Sequence, residues 1–587
     1  MSTLKVVAKE SPMRVWDLRR GDDDDNRTSP QSGVRGILLS GALEFNYLKA
    51  PIGFLALIVV PALLVGIAPS VLFTYGQLIL HTATSTGTGL VAFLLAVLAG
   101  AALWIGRPLL SMAFDSFWHL HYTLVFPMFV ALRELLLSVS QWFRSGSATP
   151  ERLAHARRLG AILAALLLAG LAMALALSVE FSVGLQVVNV ERVRPWAVAK
   201  AALANAAVVL GLSTVVTSLY WLVRELRFSD PVLDWTPDPS KLETSTVRIA
   251  HLSDLHLVGE RYGYRMQAGT SGPRGNRLTR NAFRKLAAIQ ALNPVDRVLV
   301  TGDITDAGTR AEWLAFLDLL RSCPRLSARL SFVPGNHDTS IVDRTNPGRV
   351  DLPWSASPSL RKLRIVLALD AIQGNRAHLV NRASGQAGPS LRDYLREGGR
   401  MERLRGLAQG GGLRGRWEMA KVWDAIFPLV ELGREAEDYG VILLNSNAPS
   451  HFALTNAIGV VNPSQLKRLK SLLRNSRGRR WIVLLHHQVV EYPVPSTKLL
   501  DRVGLALINA PDVLSVIAPY ASNVLILHGH RHRDWIGTSG KLVLCSAPSV
   551  TLGSYGAENA SGSFHIHDLA RDADGGIRLV ATERVMV

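Results

Sequence analysis

A long charge-free stretch near the N terminus places the strongest limit on the fold. Between Ala50 and Gly106 the sequence has no Asp, Glu, Lys or Arg, whereas the chain after Arg224 has the mixed charge of a globular domain. Such a run suits burial in lipid, where one helical span needs about 20 apolar residues. We therefore expect a membrane domain followed by a globular domain.

Four apolar segments match membrane-spanning helices, and the polar sequence GQLILHTATSTGTG separates the first two. They are Pro51–Phe73, Gly89–Gly106, Gly160–Val179 and Ala201–Val223. A further stretch, Leu109–Leu137, is apolar but contains Asp115 and Arg133. We expect it to form an interfacial or re-entrant amphipathic helix, because a spanning helix rarely carries such charges.

These segments divide the chain into a polar tail (1–49), a membrane domain with four transmembrane helices (50–226), a linker (227–246) and a globular domain (247–587). Lys and Arg are concentrated in the tail and in the loop after the second span. The positive-inside bias then places both in the cytoplasm, and four spans return the globular domain there. We expect a multi-pass protein of a bacterial-type inner membrane.

The net charge of +18 and the two cysteines bear on partners and compartment. Much of the positive charge lies next to the spans, where it faces anionic lipid, so we expect a lipid bilayer as partner and no specific nucleic acid. Two cysteines fit a reducing compartment and exclude a disulfide framework.

In the globular half, apolar strand-like stretches alternate with amphipathic helical stretches, which predicts a layered α/β domain. A basic, glycine-containing insertion at about 340–437 interrupts this alternation. We interpret it either as a solvated excursion or as a lid or lipid-facing flap. The segment RWEMAKVWDAIFPLVELGRE within it is expected to form an amphipathic helix.

Polar residues follow five of the predicted strands. Asp254 and His256 are two residues apart, so on a strand they would project to the same side. Because the carboxyl ends of strands in open α/β sheets gather ligands, these residues are expected to meet at one edge. Mixed carboxylate, amide and imidazole groups suit Mn, Fe, Co or Zn. The full set is Asp254, His256, Asp303, Asn336, His337, Asp338, His486, His487, His528, His530 and His532.

The motifs DLH, GD, GNHD, HH and HGHRH, in this order, resemble the calcineurin-like metallophosphoesterase family over about Val247 to Val587. The resemblance implies a four-layer fold, a two-sheet β-sandwich flanked by helices, with two divalent ions (Mn, Fe, Zn or Co). It implies that Asp254, His256 and His532 bind the first ion. Asn336, His530 and one histidine of the HH pair would bind the second, with Asp303 bridging.

His486 and His487 cannot be separated by sequence. We prefer His486 because it directly follows the apolar strand. We expect His528 either to support a metal ligand from behind or to be structural. The resemblance also implies that two ions activate a hydroxide for attack on phosphorus. His337 would contact the phosphoryl oxygen or protonate the leaving group, and Asp338 would orient the His337 ring.

The sequence therefore favours a membrane-anchored, metal-dependent phosphodiesterase, with a 3′,5′-cyclic nucleotide as one candidate substrate. An alternative is a hydrolase of a phospholipid or nucleotide-linked lipid, suggested by the spans and the basic insertion. A more distant alternative is a non-catalytic membrane sensor or scaffold. Metal identity, natural substrate and oligomeric state are left open.

Overall fold

The computed structural model describes residues 48–587 with several gaps. The gaps are 85–88, 143–149, 185–186, 188–193, 228–231, 237–246, 260–274, 344–347, 353–354, 410–411, 434–438, 477, 494–504, 506, 553–561 and 573. Nearly all of the expected tail (1–49) and most of the expected linker (227–246) therefore lie outside the described residues.

The chain forms two compact units, one from Leu48 to Ser229 and one that includes Asp230–Val587. The first unit is helical, as the charge-free sequence predicts. A π-helical turn, Leu55–Val59, joins its first two α-helices. Its α-helices are α1 (Lys49–Phe54), α2 (Val60–Thr84), α3 (Gly89–Trp142), α4 (Pro150–Val183) and α5 (Pro195–Arg227).

Three helical segments among the described residues are long and apolar enough to cross a membrane: Pro51–Thr82, Ala154–Val183 and Pro195–Arg227. They contain the first, third and fourth expected spans. The second expected span begins α3, where the apolar part, Gly89–Ala101, is shorter. A count of four transmembrane helices stays a prediction.

The stretch Leu109–Leu137 is helical, and its interfacial or re-entrant position stays a prediction. These residues continue α3, which runs unbroken from Gly89 to Trp142. Arg133 in this stretch is buried and pairs with Glu134 at 2.9 Å and with Glu225 of α5 at 2.6 Å. Because its charge is compensated inside the helical unit, it does not require a break or an aqueous interface.

The second unit contains two mixed β-sheets. The strands are β1 (Val232–Asp234), β2 (Val247–Leu252), β3 (Arg297–Val300), β4 (Leu330–Phe332), β5 (Ala377–Val380), β6 (Ala387–Ser390), β7 (Leu429–Glu431), β8 (Tyr439–Leu443), β9 (Arg480–Leu484), β10 (Val524–His528), β11 (Trp535–Ser539), β12 (Leu542–Ser546), β13 (Ser563–Arg571) and β14 (Ile577–Met586). One sheet has nine strands in the order β1-β11-β12-β10-β9-β8-β7-β5-β6, and the other has five in the order β14-β13-β2-β3-β4.

Helices connect these strands and cover the sheets. The helix Arg310–Ser322 begins where it does for a local reason, since the Thr309 side chain caps its N-terminus and Glu312 completes the capping box. The α-helices are α6 (Arg277–Leu292), α7 (Arg310–Ser322), α8 (Pro324–Ser327), α9 (Asn336–Thr339), α10 (Ser357–Gln373), α11 (Leu391–Arg396), α12 (Arg400–Ala408), α13 (Leu413–Ile426), α14 (Pro463–Asn475) and α15 (Ala510–Ile517). Short 3₁₀ turns are Glu397–Gly399, Ala453–Thr455 and Ala518–Asn523.

The burial of β9 shows how the layers are built. All five of its residues are buried, so this strand has no solvent-facing side. Ile482 and Leu484 belong to the core that also contains Ile249 and Leu252 of the five-stranded sheet. Trp481 and Val483 point to the other face and pack with Leu469 and Leu472 of α14. The alternation therefore gives two sheets packed together with helices outside, the metallophosphoesterase architecture expected from the sequence.

The insertion is folded into this unit. Leu391, Leu395, Leu404 and Leu407 within it are at most 1% exposed, and β5, β6 and β7 extend the nine-stranded sheet. It is therefore neither a solvated excursion nor a flap, because its apolar side chains are buried in the core. The expected amphipathic helix ends at Ile426 and is followed by β7. Similarly, β1 lies within the expected linker and pairs with β11.

Candidate active site

The predicted site residues lie in loops directly after the strands. Strand β2 ends at Leu252 and β10 at His528, so Asp254, His256, His530 and His532 are not strand residues as the period-two argument assumed. Instead, all four have left-handed backbone, with φ of 55°, 42°, 72° and 51°, and Asp303 has φ of 49°. Leu48 is the other non-glycine residue with positive φ among the described residues. Such strain costs roughly 1–3 kcal/mol per residue and concentrates at functional sites.

A first donor group consists of Asp254, His256 and His532. Oδ1 of Asp254 lies 3.2 Å from Nε2 of His532 and 4.0 Å from Nε2 of His256. The other oxygen, Oδ2, accepts a hydrogen bond from the backbone N–H of His530 at 3.1 Å. The carboxylate is fixed by the backbone while Oδ1 faces the two imidazoles.

A second donor group consists of Asn336, His486 and His530. Nε2 of His486 lies 3.0 Å from Oδ1 of Asn336 and 3.1 Å from Nδ1 of His530. Nδ1 of His486 donates to the carbonyl of Thr301 at 2.7 Å, which orients the ring and leaves Nε2 facing the group.

Asp303 lies between the two donor groups. Its Oδ2 is 3.4 Å from Nε2 of His486 and 3.9 Å from Nε2 of His256. Its Oδ1 accepts from the backbone N–H of His337 at 2.8 Å. One oxygen of this carboxylate thus faces both groups, which is the arrangement that a bridging ligand requires.

The atoms at this site suit divalent cations. Among the described residues, Oδ1 of Asp254, Nε2 of His256 and Nε2 of His530 are buried and have no hydrogen-bond partner. Leaving buried polar atoms unpaired costs about 1–3 kcal/mol each, so such a concentration indicates a missing ligand. Carboxylate, amide and imidazole donors are those that borderline divalent metals prefer.

The electrostatics of the site also suit cations. Burial raises the pKa of the Asp303 carboxyl, but His486 and His337 outweigh it and hold the pKa well below its usual range. Burial, together with the positive charge of neighbouring histidines, lowers the pKa of His530 well below 6.5. The site therefore offers an ionised carboxylate and a neutral imidazole, the forms that bind metal.

His337 lies at the more open side of the cluster. Its side chain is 16% exposed, and its Nε2 is 4.0 Å from Oδ2 of Asp303. Its Nδ1 donates to the backbone carbonyl of Asp306 at 2.8 Å. Nε2 is therefore the ring atom that can exchange a proton or donate to a substrate.

Asp338 does not orient the His337 ring, contrary to expectation, because the Asp306 carbonyl holds Nδ1. Both Asp338 oxygens instead accept hydrogen bonds from the Ile304–Thr305 segment and from the Gly335 backbone. Burial and the Asp303 carboxylate raise its pKa to about 6. Asp338 thus ties the loop that carries Asp303 to the loop that carries Asn336.

Sequence reasoning missed Asp306. Its Oδ1 lies 3.4 Å from Nδ1 of His256, and its carbonyl accepts from His337. A carboxylate on the far nitrogen of a metal-binding histidine fixes the ring and its tautomer. The only sequence signal is its place three residues after Asp303 in TGDITDAG.

The two remaining histidines are also placed. Nε2 of His486 lies 3.0 Å from Oδ1 of Asn336 and 3.4 Å from Oδ2 of Asp303, whereas Nδ1 of His487 lies 2.9 Å from Oγ of Ser446. His486 is therefore the member of the HH pair that faces the other donor atoms. Burial lowers the pKa of His528 to about 4, which keeps it neutral beside the site.

Comparison with known proteins adds an independent observation. Residues 247–534 match the family model described as calcineurin-like phosphoesterase. A probable cyclic nucleotide phosphodiesterase of Coxiella burnetii is 33% identical over 311 residues, covering 53% of this chain and 85% of that protein. The chain belongs to the calcineurin-like phosphoesterase family. It is accordingly a phosphoester hydrolase with a metallophosphoesterase fold.

Two further phosphodiesterases are similar to parts of this chain. A probable cyclic nucleotide phosphodiesterase of Pseudoalteromonas is 22% identical, covering 54% of this chain and 84% of that protein. The 3′,5′-cyclic adenosine monophosphate phosphodiesterase CpdA of Pseudomonas aeruginosa is 27% identical, covering 22% and 42%. Because the family uses divalent metals, the Asp and His cluster of this chain is its candidate metal site.

Proposed function

We propose that this protein is a membrane-anchored phosphodiesterase that hydrolyses a 3′,5′-cyclic nucleotide with two divalent ions. The observation that carries the proposal is Oδ2 of Asp303, which faces His486 of the second donor group and His256 of the first. Asp254, His256 and His532 would hold one ion. Asn336, His486 and His530 would hold the other, with Asp303 shared.

When bound, the two ions would polarise the phosphoryl oxygens and lower the pKa of the attacking water. The protein supplies the geometry. Asp303 is fixed through Oδ1 by the backbone of His337, so Oδ2 stays between the donor groups. Asp306 holds His256 and His337 at their Nδ1 atoms, which directs both Nε2 atoms towards Asp303.

His337 would act on the substrate through Nε2. With Nδ1–H engaged by the Asp306 carbonyl, a proton on Nε2 can be donated to a phosphoryl oxygen or to the departing alkoxide. The neighbouring Asp303 carboxylate stabilises the protonated ring. The His337 side chain is 16% exposed, so a substrate can reach its ring.

The substrate assignment rests on the named relatives, two of which are probable cyclic nucleotide phosphodiesterases. The membrane assignment rests on the three apolar helices. The cytoplasmic position of the enzyme rests on the distribution of Lys and Arg together with the predicted count of four spans. A phospholipid or nucleotide-linked lipid is the second candidate substrate, favoured by the same helices.

The test uses the full-length protein in detergent, loaded with Mn²⁺, with 3′,5′-cyclic AMP and bis(4-nitrophenyl) phosphate assayed in parallel. Hydrolysis of both supports the cyclic nucleotide. Hydrolysis of the artificial diester alone contradicts it and favours a lipid substrate.

Asn336→Ala tests the paired-ion arrangement, because it removes one donor of the second group. It is expected to lower metal content and to reduce turnover at least about tenfold. The control is Asn462→Ala, which removes an amide that caps α14 at its N-terminus. Unchanged metal content and turnover in Asn336→Ala would contradict the assignment of the second donor group.

A further inference from the structure

Three histidines converge on one face of the five-stranded sheet, apart from the two donor groups. His565 and His567 are two residues apart on β13, so they project to the same side. His251 on β2 is the cross-strand partner of His565. All three are at most 1% exposed, so the sheet buries three imidazoles together. Such burial is costly unless each ring nitrogen has a partner.

The distances within this histidine cluster match a shared ion. One ring nitrogen from each residue lies within 4.8 Å of the other two. Nδ1 of His251 and Nε2 of His567 are 3.3 Å apart. Two nitrogens at about 2.0–2.1 Å from a tetrahedral Zn²⁺ are separated by about 3.3–3.4 Å.

The opposite nitrogen of each ring has its own partner. Nε2 of His251 lies 3.0 Å from Oγ1 of Thr301, and Nδ1 of His567 lies 2.8 Å from Oγ1 of Thr582. Nε2 of His565 lies 2.8 Å from Oδ1 of Asp534. Outer hydrogen bonds of this kind orient metal-binding histidines and fix their tautomers.

A hydrogen-bond network without an ion leaves one atom unsatisfied. His251 and His567 can share a single N–H···N bond across their 3.3 Å contact. Nε2–H of His565 donates to the Asp534 carboxylate, so its Nδ1 carries a lone pair. This buried Nδ1 has no hydrogen-bond partner among the described residues. A cation between the three rings would accept all three lone pairs.

One carboxylate borders the histidine cluster from outside. Asp534 accepts from Nε2 of His565 at 2.8 Å and also pairs with Arg584 at 2.9 Å. It therefore holds the outer nitrogen of His565 and leaves Nδ1 of that ring for the ion.

We propose that His251, His565 and His567 bind one Zn²⁺ through Nδ1, Nδ1 and Nε2 respectively, with the fourth position open to water. The ion cross-links β2 and β13, which have the histidines on facing positions. An all-imidazole donor set favours zinc over the harder ions that carboxylates and carbonyls bind. The site is independent of the phosphodiesterase proposal, since none of its ligands belongs to either donor group.

Zinc content tests the proposal on the full-length protein purified in detergent and washed with a weak chelator. His565→Gln is expected to contain one Zn²⁺ fewer per chain than wild type. The matched control is His378→Gln, which changes a half-buried histidine on β5 that bonds the Gly388 carbonyl. Equal zinc content in His565→Gln and wild type would overturn the proposal.

A second variant covers the case in which His565→Gln does not fold. Asp534→Asn keeps all three ligands and changes the outer partner of His565, at a side chain that is 28% exposed and also pairs with Arg584. Titration with a competing chelator is expected to show one zinc equivalent weakened about 10–100-fold, with the others unchanged. Superimposable titration curves for Asp534→Asn and wild type would overturn the zinc site.

Discussion

Asp338→Asn should destabilise the phosphoesterase unit, because Asp338 joins two loops through its carboxylate. Oδ1 accepts from the backbone N–H of Thr305 at 2.8 Å and from its hydroxyl at 2.6 Å. Oδ2 accepts from the N–H groups of Ile304 at 3.2 Å and Gly335 at 2.8 Å. An amide has one acceptor oxygen, so one pair of these donors must face an NH₂ group.

The less costly orientation places the NH₂ group towards Thr305. The Thr305 hydroxyl can then rotate and accept, which leaves one buried backbone N–H unpaired. That costs about 1–3 kcal/mol, and weakening of the remaining charge-assisted bonds adds about 1 kcal/mol. Burial and Asp303 raise the pKa of Asp338 to about 6, so the folded state disfavours the ionised carboxylate at pH 8, and the neutral amide relieves part of that cost. The expected net loss of stability at pH 8 is therefore about 1–2 kcal/mol.

The assay follows the heat-induced exposure of Cys545 to a thiol-reactive dye. Cys545 is fully buried in β12, and the chain has only two cysteines, so a Cys323→Ser background makes this signal specific for the phosphoesterase unit. An unfolding entropy of roughly 0.7 kcal/mol/K, scaled to a domain of this size, converts the loss to a Tm about 1.5–3 °C lower.

Glu402→Gln makes the same chemical change at an exposed carboxylate that pairs with Arg405. It should alter stability by less than about 0.5 kcal/mol. If Asp338→Asn melts within about 1 °C of wild type, the hydrogen bonds of Asp338 do not hold the two loops together.

Three further changes test the site and its surroundings. Gly335→Ala should reduce metal content and turnover at least about tenfold, because a Cβ at Gly335 would collide with Asp303. A Cβ at Gly406 would meet open space, so Gly406→Ala should leave both quantities unchanged; equal behaviour of the two variants would argue against the close approach of Gly335 to Asp303. His337→Ala should keep the metal content but slow the hydrolysis of esters with poor leaving groups about 10²–10⁴-fold, and the hydrolysis of nitrophenyl esters less. Equal slowing of both hydrolyses would contradict the role of His337 as an acid. Burial lowers the pKa of His528 to about 4, so the unfolded chain binds this proton first as the pH falls, and wild type should lose up to roughly 3 kcal/mol of stability between pH 6.5 and 4. His528→Gln should lose less stability over that interval in the Cys545 assay, and an equal loss would refute this.

Much of the fold could be predicted because it depends on local patterns. The alternation of apolar strands with amphipathic helices predicts the layered unit, and burial of both faces of β9 confirms it. The length of α3 could not be predicted in this way. Arg133 is tolerated within that helix because Glu225, far away in the sequence, neutralises it.

The site shows the same division between local pattern and tertiary contact. The order of DLH, GD, GNHD, HH and HGHRH indicates which residues could meet, and the structure brings Asp254, His256, Asp303, Asn336, His486, His530 and His532 together. The backbone geometry differs from the expectation, because five of these residues point into the site from loops with left-handed backbone rather than from alternating positions on a strand. A turn of this kind is stabilised by surrounding contacts, not by the residue types alone.

The sequence by itself therefore determined the apolar helical half and the globular half, the layered α/β class and the set of side chains that could bind metal. Only the tertiary structure decided that Asp338 ties two loops, that Asp306 orients His256 and His337, and that His251 meets His565 and His567. The physical reason is that hydrogen-bond direction and strand register depend on atoms brought together from distant parts of the chain. Residue spacing fixes which side chains are near in sequence, but not which lone pairs face each other.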